Sequence, residues 1–538
     1  MSDTDEIRPQ RTSFLRESGK LSVLTMISRV LGLLREITRT RLLGTTVLAE
    51  AFTAAYNTPN LFRKLLAEGA MSTALIPTMQ SYFSEGDEER TEQFLSATFT
   101  ALVWSVGLVV ALGMAGAVWI AHAYASMSTD PGVAMDTLET AFLIRLMFPY
   151  LAAVSLAAFF QGILNSHGIF VPSGSGPILF NLSFLLIPPM IVFLVPNPAR
   201  AMAIGVLAGG MLQAAVQLPF VLKLGLRFRL VSLRAAFANP GMKRVLLLMT
   251  PTLIGMAVYE LNAFVSTGLA YGVGAATSIQ LSLRLQELIL GVFVVSIGTV
   301  LLPELSGAAA REDWQRFIDR FKRSLDAVIL VTLPVVVFAI LQRTNIVAVL
   351  FQTGQFGRES VLVTANIFLF HLFGLIFIAA NRIIAPAFYA CKDTRNPTYA
   401  GMVSFVVNML SAWLLSLRFG GPGIAVALSL AGAVNTIILV ILLLRKNIAG
   451  TGTALLAVLG YTGRLLILSG IAAVPIYFIG PLLESALAGH SSRLIFAGVP
   501  MVVSALIYCS LGILLLRITR DPIALFLLEA LRSRRQRQ

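Results

Sequence analysis

The sequence predicts an all-α membrane protein that crosses the bilayer many times. Its 538 residues are 57% hydrophobic and only 13% charged, with a mean hydropathy of +0.81. In soluble domains about a quarter of the residues are charged. Apolar runs of about 20 residues, the length that spans a bilayer as a helix, recur from end to end. The runs are continuous and do not alternate with polar residues, which excludes a transmembrane β-barrel.

About 14 spans are predicted from these runs. The second span is the least regular, because Pro59 and Pro77 interrupt it and charges fill its middle. The predicted starts fall near residues 21, 48, 95, 139, 172, 200, 244, 279, 324, 362, 397, 423, 455 and 492.

Lysine and arginine cluster in alternate loops, which predicts the orientation of the chain. With both termini in the cytoplasm, the basic segments 8–20, 223–244, 311–323 and 532–537 all lie inside, whereas 125–138 and 272–280 contain no Lys or Arg. The acidic run at 85–92 is also inside, but acidic residues count little in this rule. The net charge of +14 therefore reflects membrane topology, and no nucleic-acid partner is expected.

Two sequence matches indicate an internal repeat. Residues 73–77 (TALIP) resemble 299–303 (TVLLP), 226 residues later, and Pro172 after 159–162 corresponds to Pro397, 225 residues later. Spans 1–6 and 7–12 are therefore predicted to be parallel six-helix lobes, followed by two extra helices. The predicted segments are a cytoplasmic N-terminus (1–20), an N-lobe (21–225), a C-lobe (226–446), spans 13 and 14 (447–518) and a basic cytoplasmic C-terminus (519–538).

Four arginines inside predicted spans are the main indication of function: Arg29, Arg35, Arg63 and Arg284. A charge at the bilayer centre costs about 2.5–3.5 kcal/mol on translocon scales, so such residues usually face a cavity or a counter-ion. Because the guanidinium fork binds phosphate oxygens bidentately, a phosphate or diphosphate is the natural ligand. The alternative is a set of ion pairs that only hold helices together.

Other charged residues accompany these arginines, namely Glu36, Glu50, Lys64, Glu68 and Glu287. Lys64 and Glu68 are four residues apart and are predicted to pair. Arg35 and Arg39 share a helix face and should repel unless an anion lies between them. Arg39 and Arg41 are predicted to reach the outer interface by snorkelling.

The remaining chemistry-bearing residues form no recognisable site. The two cysteines and four histidines have no metal-ligand spacing and no CxxC, so no metal is expected. No GxxxxGK[ST] motif is present, and no cofactor is expected. The charged first apolar run indicates no removable signal peptide.

The charged segments resemble the lipid II flippase family MurJ, also called MviN, of the multidrug/oligosaccharidyl-lipid/polysaccharide exporter superfamily. The matching motifs span about three quarters of the chain. They are SRVLGLLRE (28–36), PNLFRKLLAEGAMSTALIPTM (59–79), NSHGIF to Pro172 (165–172), LRLQELILGV to GTVLLPELS (283–306), LFQTGQFG (350–357) and FYACKDTRNPTYAGMVSFVVN (388–408).

The resemblance implies 14 helices in two lobes around a cationic cavity, with helices 13 and 14 forming a groove for a lipid tail. It implies a non-enzymatic flippase of the inner membrane, which moves undecaprenyl-diphosphate-disaccharide-pentapeptide (lipid II) to the outer leaflet for peptidoglycan synthesis. The family's essential arginines fall on Arg29, Arg35, Arg63 and Arg284, and its acidic gate residue falls on Glu68. A monomer is expected, with membrane lipids around it and cell-wall synthesis and division proteins as candidate partners.

Three positions depart from the family pattern. Glu50 replaces an aspartate, Leu283 replaces an acidic residue before Arg284, and span 11 lacks the carboxylate linked to sodium in some members. A sodium site is therefore not expected, and an ion gradient or the membrane potential would have to drive the cycle.

Three other functions fit the composition less well. Another exporter of the superfamily would carry an O-antigen lipid or a drug, but a cationic drug requires carboxylates where this chain has arginines. A polyprenyl-phosphate membrane enzyme requires a carboxylate cluster for a metal, and the only dense acidic run, 85–92, has no His or DxD beside it. A non-transporting scaffold leaves the arginines unexplained.

Overall fold

A computed structural model describes residues 7–65, 71–127, 136–490 and 492–525, and these residues are almost entirely helical. The chain divides into two compact units. Unit 1 contains residues Met1–Ala276 and Thr353–Gln355, and unit 2 contains Thr277–Gln352 and Phe356–Gln538.

Unit 1 is built from helices α1 to α11. They are α1 (Ile7–Leu43), α2 (Val47–Arg63), α3 (Met71–Glu85), α4 (Glu88–Ala115), α5 (Ala117–Ser126), α6 (Thr137–Met147), α7 (Pro149–Ser166), α8 (Val171–Ile191), α9 (Pro198–Lys223), α10 (Leu233–Ala238) and α11 (Pro240–Gly272). Its core is formed by apolar side chains of α2, α4 and α6 to α9.

Unit 2 contains α12 (Ala276–Ala310), whose first residue belongs to unit 1, and α13 (Trp314–Phe351), α14 (Arg358–Ala390), α15 (Arg395–Arg445) and α16 (Thr451–Leu487). A π-helical turn (Leu494–Gly498) leads into α17 (Val499–Ile518). Helix α13 packs against α14 and α16, and α16 packs against α17.

Several helices begin where the sequence supplies a cap. The side chains of Asp87, Asp136, Asn197 and Asp313 each accept a hydrogen bond from the backbone N–H three residues later. Such side chains satisfy the N–H groups that have no partner within the helix. The starts of α4, α6, α9 and α13 are therefore fixed locally.

Within the described residues, nine helices are long and apolar enough to cross a membrane. One of them, α15, has 51 residues and is broken at Gly420, whose φ of 59° and ψ of −136° are not helical. Ten of the predicted spans coincide with these nine helices because α15 holds two of them. The other four predicted starts fall within α1, α2, α11 and α12, and the total of 14 stays a prediction.

Large apolar side chains cover the outside of the spanning helices. Leu456, Phe478 and Leu506, on α16 and α17, are 65–70% exposed. In water such a surface would aggregate, whereas in a bilayer it lies against lipid. The chain is therefore a multi-pass helical membrane protein.

The boundary between the units follows α11. The helix that the repeat assigns to the start of the C-lobe thus groups with unit 1 in the structure. The segments, the parallel repeat and the orientation of the termini remain predictions of the sequence.

The short segment Thr353–Gln355 belongs to unit 1 although its neighbours in sequence lie in unit 2. The Gln355 backbone N–H donates to the Arg41 carbonyl at 3.0 Å. Gly44 and Gly354 both have positive φ, and a Cβ on either would meet the backbone of the other segment at 2.3–2.4 Å. Glycine is needed here for close approach as well as for its φ.

Candidate functional site

Arg35, one of the four predicted arginines, is buried on α1 at its contact with α8. Its Nη1 donates to Asn181 Oδ1 at 3.1 Å and its Nη2 to Glu36 Oε1 at 2.8 Å. Its guanidinium carbon lies 5.4 Å from the ring centre of Phe184 and 5.7 Å from that of Phe180. Two polar acceptors and two aromatic faces therefore hold this cation in place.

Glu36 links Arg35 to a second buried arginine. Its Oε2 lies 3.1 Å from Arg39 Nε, and Arg39 is only 4% exposed. The prediction that Arg39 reaches the outer interface is therefore wrong. The anion between Arg35 and Arg39 is Glu36 itself, because the backbone turn brings its carboxylate within reach of both guanidinium groups.

Arg29 lies six residues, nearly two turns of helix, before Arg35, and its side chain is exposed. The neighbouring carbonyl of Ser28 accepts a hydrogen bond from Asn181 Nδ2 at 3.0 Å. Asn181 therefore ties α8 to α1 with its amide nitrogen and binds Arg35 with its amide oxygen. The arrangement fixes this part of α1.

Helix α2 carries the next two predicted cations at its end. Arg63 is half-buried, and its Nε donates to Asn60 Oδ1 at 2.7 Å. Lys64 Nζ lies 3.4 Å from Oε1 of Glu260, a residue of α11 that is 3% exposed. The sequence predicted Glu68 as the partner of Lys64, and Glu68 lies outside the described residues. The carboxylate that the structure places beside Lys64 is 196 residues away in sequence.

Glu50, predicted as a charge partner, is buried near the start of α2 and is 5% exposed. Its Oε2 accepts the backbone N–H of Ala276 at 2.7 Å. This N–H is the first of α12 and has no acceptor within its own helix. Glu50 therefore provides the acceptor for this N–H, which is a structural role within unit 1.

Arg284 and Glu287 lie in unit 2 on the exposed surface of α12. Arg284 Nη1 and Glu287 Oε2 are 2.7 Å apart, and the two side chains are 45% and 63% exposed. The ion pair has the three-residue spacing that the sequence suggests. Leu283, which replaces the family's acidic residue, leaves Glu287 as the carboxylate beside Arg284.

Sequence reasoning missed Phe180 and Phe184 as neighbours of Arg35 and Glu260 as the partner of Lys64. Each reaches its arginine or lysine across more than 140 residues, and no local pattern marks such pairs. Asn181 joins α8 to α1 and also binds Arg35. In the part of the chain that the structure describes, no group of three His, Cys, Asp or Glu could hold a metal ion.

The comparisons with known proteins agree with one another. The family model described as "Lipid II flippase MurJ" matches residues 40–496. A "Probable lipid II flippase MurJ" of Treponema pallidum is 40% identical over 531 residues, which cover 97% of this chain and 98% of that protein. The "Lipid II flippase MurJ" of Burkholderia cenocepacia is 31% identical over 435 residues, covering 80% and 83%.

Two solved structures share the fold. One is "Lipid II flippase MurJ, inward closed conformation", with a TM-score of 0.74 and 21% identity over 93% of this chain and 99% of that one. The other is a multidrug resistance MATE family transporter, with a TM-score of 0.59 and 14% identity over 81% and 98%. From the family model and the two relatives in sequence, the chain belongs to the MurJ family of lipid II flippases.

Proposed function

We propose that this protein flips lipid II, the undecaprenyl-diphosphate-linked precursor of peptidoglycan, from the inner to the outer leaflet of the cytoplasmic membrane. The observation that carries the proposal is the 40% identity, over 97% of the chain, to a probable lipid II flippase. Because this relative aligns with the chain from end to end, we expect the two proteins to move the same cargo. An exporter of drugs or of O-antigen lipids is not favoured.

The charges of α1 suit a diphosphate. Arg35, Glu36 and Arg39 are all less than 9% exposed and together carry one net positive charge, since two cations surround one carboxylate. A buried positive charge with little solvent screening attracts an anion strongly. The internal ion pairs therefore reduce the cationic character of this helix without removing it.

We assign different roles to the arginines. The more accessible side chains of Arg29 and Arg63 are proposed to contact the diphosphate directly. Arg35, already held by Asn181 and Glu36, is proposed to present a fixed charge, since a preorganised cation loses little entropy when the anion arrives. Arg284 is proposed as a further ligand because it matches an arginine of the family motif.

The carboxylates and Lys64 are proposed to place these cations. Glu36 holds Arg35, and Glu287 is proposed to release Arg284 when the anion binds, since an exposed pair costs little to break. Glu50 is proposed to keep its bond to Ala276. Lys64 with Glu260 sets the end of α2, and Glu68 is proposed as the acidic gate on the resemblance alone.

The larger architecture is part of the proposal. We infer 14 spans in two six-helix lobes, with both termini cytoplasmic, and a lipid-tail groove formed by α16 and α17. The transport cycle needs no covalent step and no cofactor, and the membrane potential or an ion gradient biases it. A monomer surrounded by membrane lipids is the proposed functional form, with cell-wall synthesis and division proteins as partners.

The test is replacement of the resident flippase by this chain and its variants. Arg63→Ala should abolish growth and outer-leaflet lipid II, while Arg63→Lys should restore only part, since lysine lacks the bidentate fork. Arg90→Ala is the matched control, because the Arg90 side chain is 69% exposed and forms an ion pair with Asp87 at the start of α4. It should behave as the unmodified chain does.

Two measurements separate the outcomes. Immunodetection of membrane-inserted protein establishes that a variant is present, and lipid II accessibility at the outer leaflet reports transport. Growth of Arg63→Ala equal to that of Arg90→Ala would remove Arg63 from the site. Normal insertion of the unmodified chain without any outer-leaflet lipid II would overturn the proposed cargo.

A further inference from the structure

A buried acidic pair in unit 2 lies apart from the residues discussed above. Asp326 is on α13 and is 1% exposed, and Asp521 follows α17 and is 0% exposed. The charge of each carboxylate acts on Tyr461 of α16, and the charge of Asp521 acts on Asp326. Three elements therefore bring two acidic side chains together in a dry environment.

Asp521 is well stabilised as an anion through one of its oxygens. Its Oδ1 accepts the backbone N–H groups of Ile523 at 3.1 Å and Ala524 at 2.9 Å, and the hydroxyl of Tyr461 at 3.2 Å. Arg464 Nη2 lies 3.9 Å from its Oδ2, too far for a hydrogen bond, and donates to the Thr519 carbonyl instead. Asp521 Oδ2 has no hydrogen-bond partner among the described residues.

Asp326 is less well stabilised. Its Oδ2 accepts from Lys322 Nζ at 2.7 Å, and Lys322 is 35% exposed. Its Oδ1 is buried and has no hydrogen-bond partner in the part of the chain that the structure describes. A buried carboxylate oxygen without a donor is costly, and the nearby negative charge of Asp521 adds to the cost.

The surroundings suit a proton better than a metal ion. Hard metal ions take six or more oxygen ligands, whereas among the described residues only one oxygen of each carboxylate lacks a hydrogen-bond partner. A proton needs one oxygen, and it removes the charge that burial and Asp521 disfavour.

We propose that Asp326 and Asp521 form a proton-binding site, in which Asp326 takes up the proton and Asp521 remains charged. The proton comes from water and binds Asp326 Oδ1 without any other bond being broken. The charged or titratable groups facing the pair are Lys322 on α13 and Tyr461 and Arg464 on α16. Because the two acids belong to different elements, the proton removes the repulsion between α13 and the segment after α17.

The proposal is independent of the cargo, and it is tested on the full-length chain in lipid nanodiscs. Infrared difference spectra recorded across a pH titration report the C=O band of a protonated carboxyl group. The unmodified chain should show a band that Asp326→Asn removes. Asp319→Asn, a change of an exposed aspartate on the same helix, is the matched control and should keep the band.

If Asp326→Asn does not fold, the variant Asp521→Asn tests the proposal instead. Asp521→Asn removes the neighbouring charge, so the band should remain and titrate at a lower pH. A band that persists in Asp326→Asn, or one that Asp521→Asn leaves unmoved, would overturn the proposal. So would a band lost at constant pH when choline is replaced by sodium or potassium, because the site would then take a metal ion.

Discussion

Removal of Glu36 should be strongly destabilising, because its carboxylate is a counter-ion of two buried arginines. The side chains of Glu36, Arg35 and Arg39 are only 7%, 10% and 5% exposed. Glu36→Gln keeps the size of the side chain but takes this carboxylate away from both guanidinium groups. Breaking a buried pair by removing one partner costs about 3–5 kcal/mol, since the remaining charge stays desolvated.

The chain offers a matched control in Glu287→Gln. Arg284 and Glu287 pair over the same three-residue spacing as Glu36 and Arg39, but their side chains are 45% and 63% exposed. An exposed pair contributes about 0–1 kcal/mol. The free energies of unfolding of the two variants should therefore differ by about 2–5 kcal/mol.

Steric trapping in bicelles measures these free energies, and thermal midpoints in detergent give the same rank order. The double variant Glu36→Gln with Arg39→Gln should regain part of the lost free energy of unfolding, because only one of the two arginines that lost the Glu36 carboxylate remains. Equal stability of Glu36→Gln and Glu287→Gln would refute the assignment of Glu36 as a buried counter-ion.

Two further outcomes follow from particular contacts. Gly354→Ala should lower the free energy of unfolding by about 1–3 kcal/mol, since φ is +54° and the new Cβ would meet the Arg41 carbonyl. Gly357→Ala is the control, because open space surrounds Gly357, and it should change the thermal midpoint little in the same assay. Burial alone would raise the pKa of Asp393, but the hydrogen bonds from Lys446 and Asn396 together outweigh it and lower that pKa below the ordinary 3.8. The stability that Asp393 adds should thus be present at neutral pH and lost as the pH falls below 3.8, so the thermal midpoints of the unmodified chain and Asp393→Asn should converge in acid.

The charge pairs of α1 and α2 separate what the sequence can predict from what it cannot. Glu36 and Arg39 are three residues apart, a spacing at which an ion pair can form within a helix, but Arg39 was expected at the outer interface, so both the pair and its burial were missed. Lys64 and Glu260 are joined by the packing of α2 against α11. No local rule relates residues so far apart, and the nearer Glu68 offered a plausible partner.

The helix count follows the same logic. Helix α15 has 51 residues, about 77 Å at 1.5 Å per residue, which is far longer than the bilayer core of about 30 Å. The Gly420 and Pro422 that break it were readable as a turn, and two spans were predicted there. Length and breaker residues therefore located this pair without any knowledge of tertiary packing.

Hydropathy predicts membrane spans least reliably for the helices that carry the candidate site. Helix α1 is long enough to cross a bilayer, but Arg29, Arg35, Glu36 and Arg39 lie in its central and final turns, and it is not among the nine apolar helices of the described residues. The structure compensates by burying Arg35, Glu36 and Arg39 within the protein, with Arg35 against α8. A helix in which local preference conflicts with its location is where function is expected. Helix α1 carries more charge than an ordinary apolar span, and this charge is itself an argument for placing the charged part of the cargo beside α1.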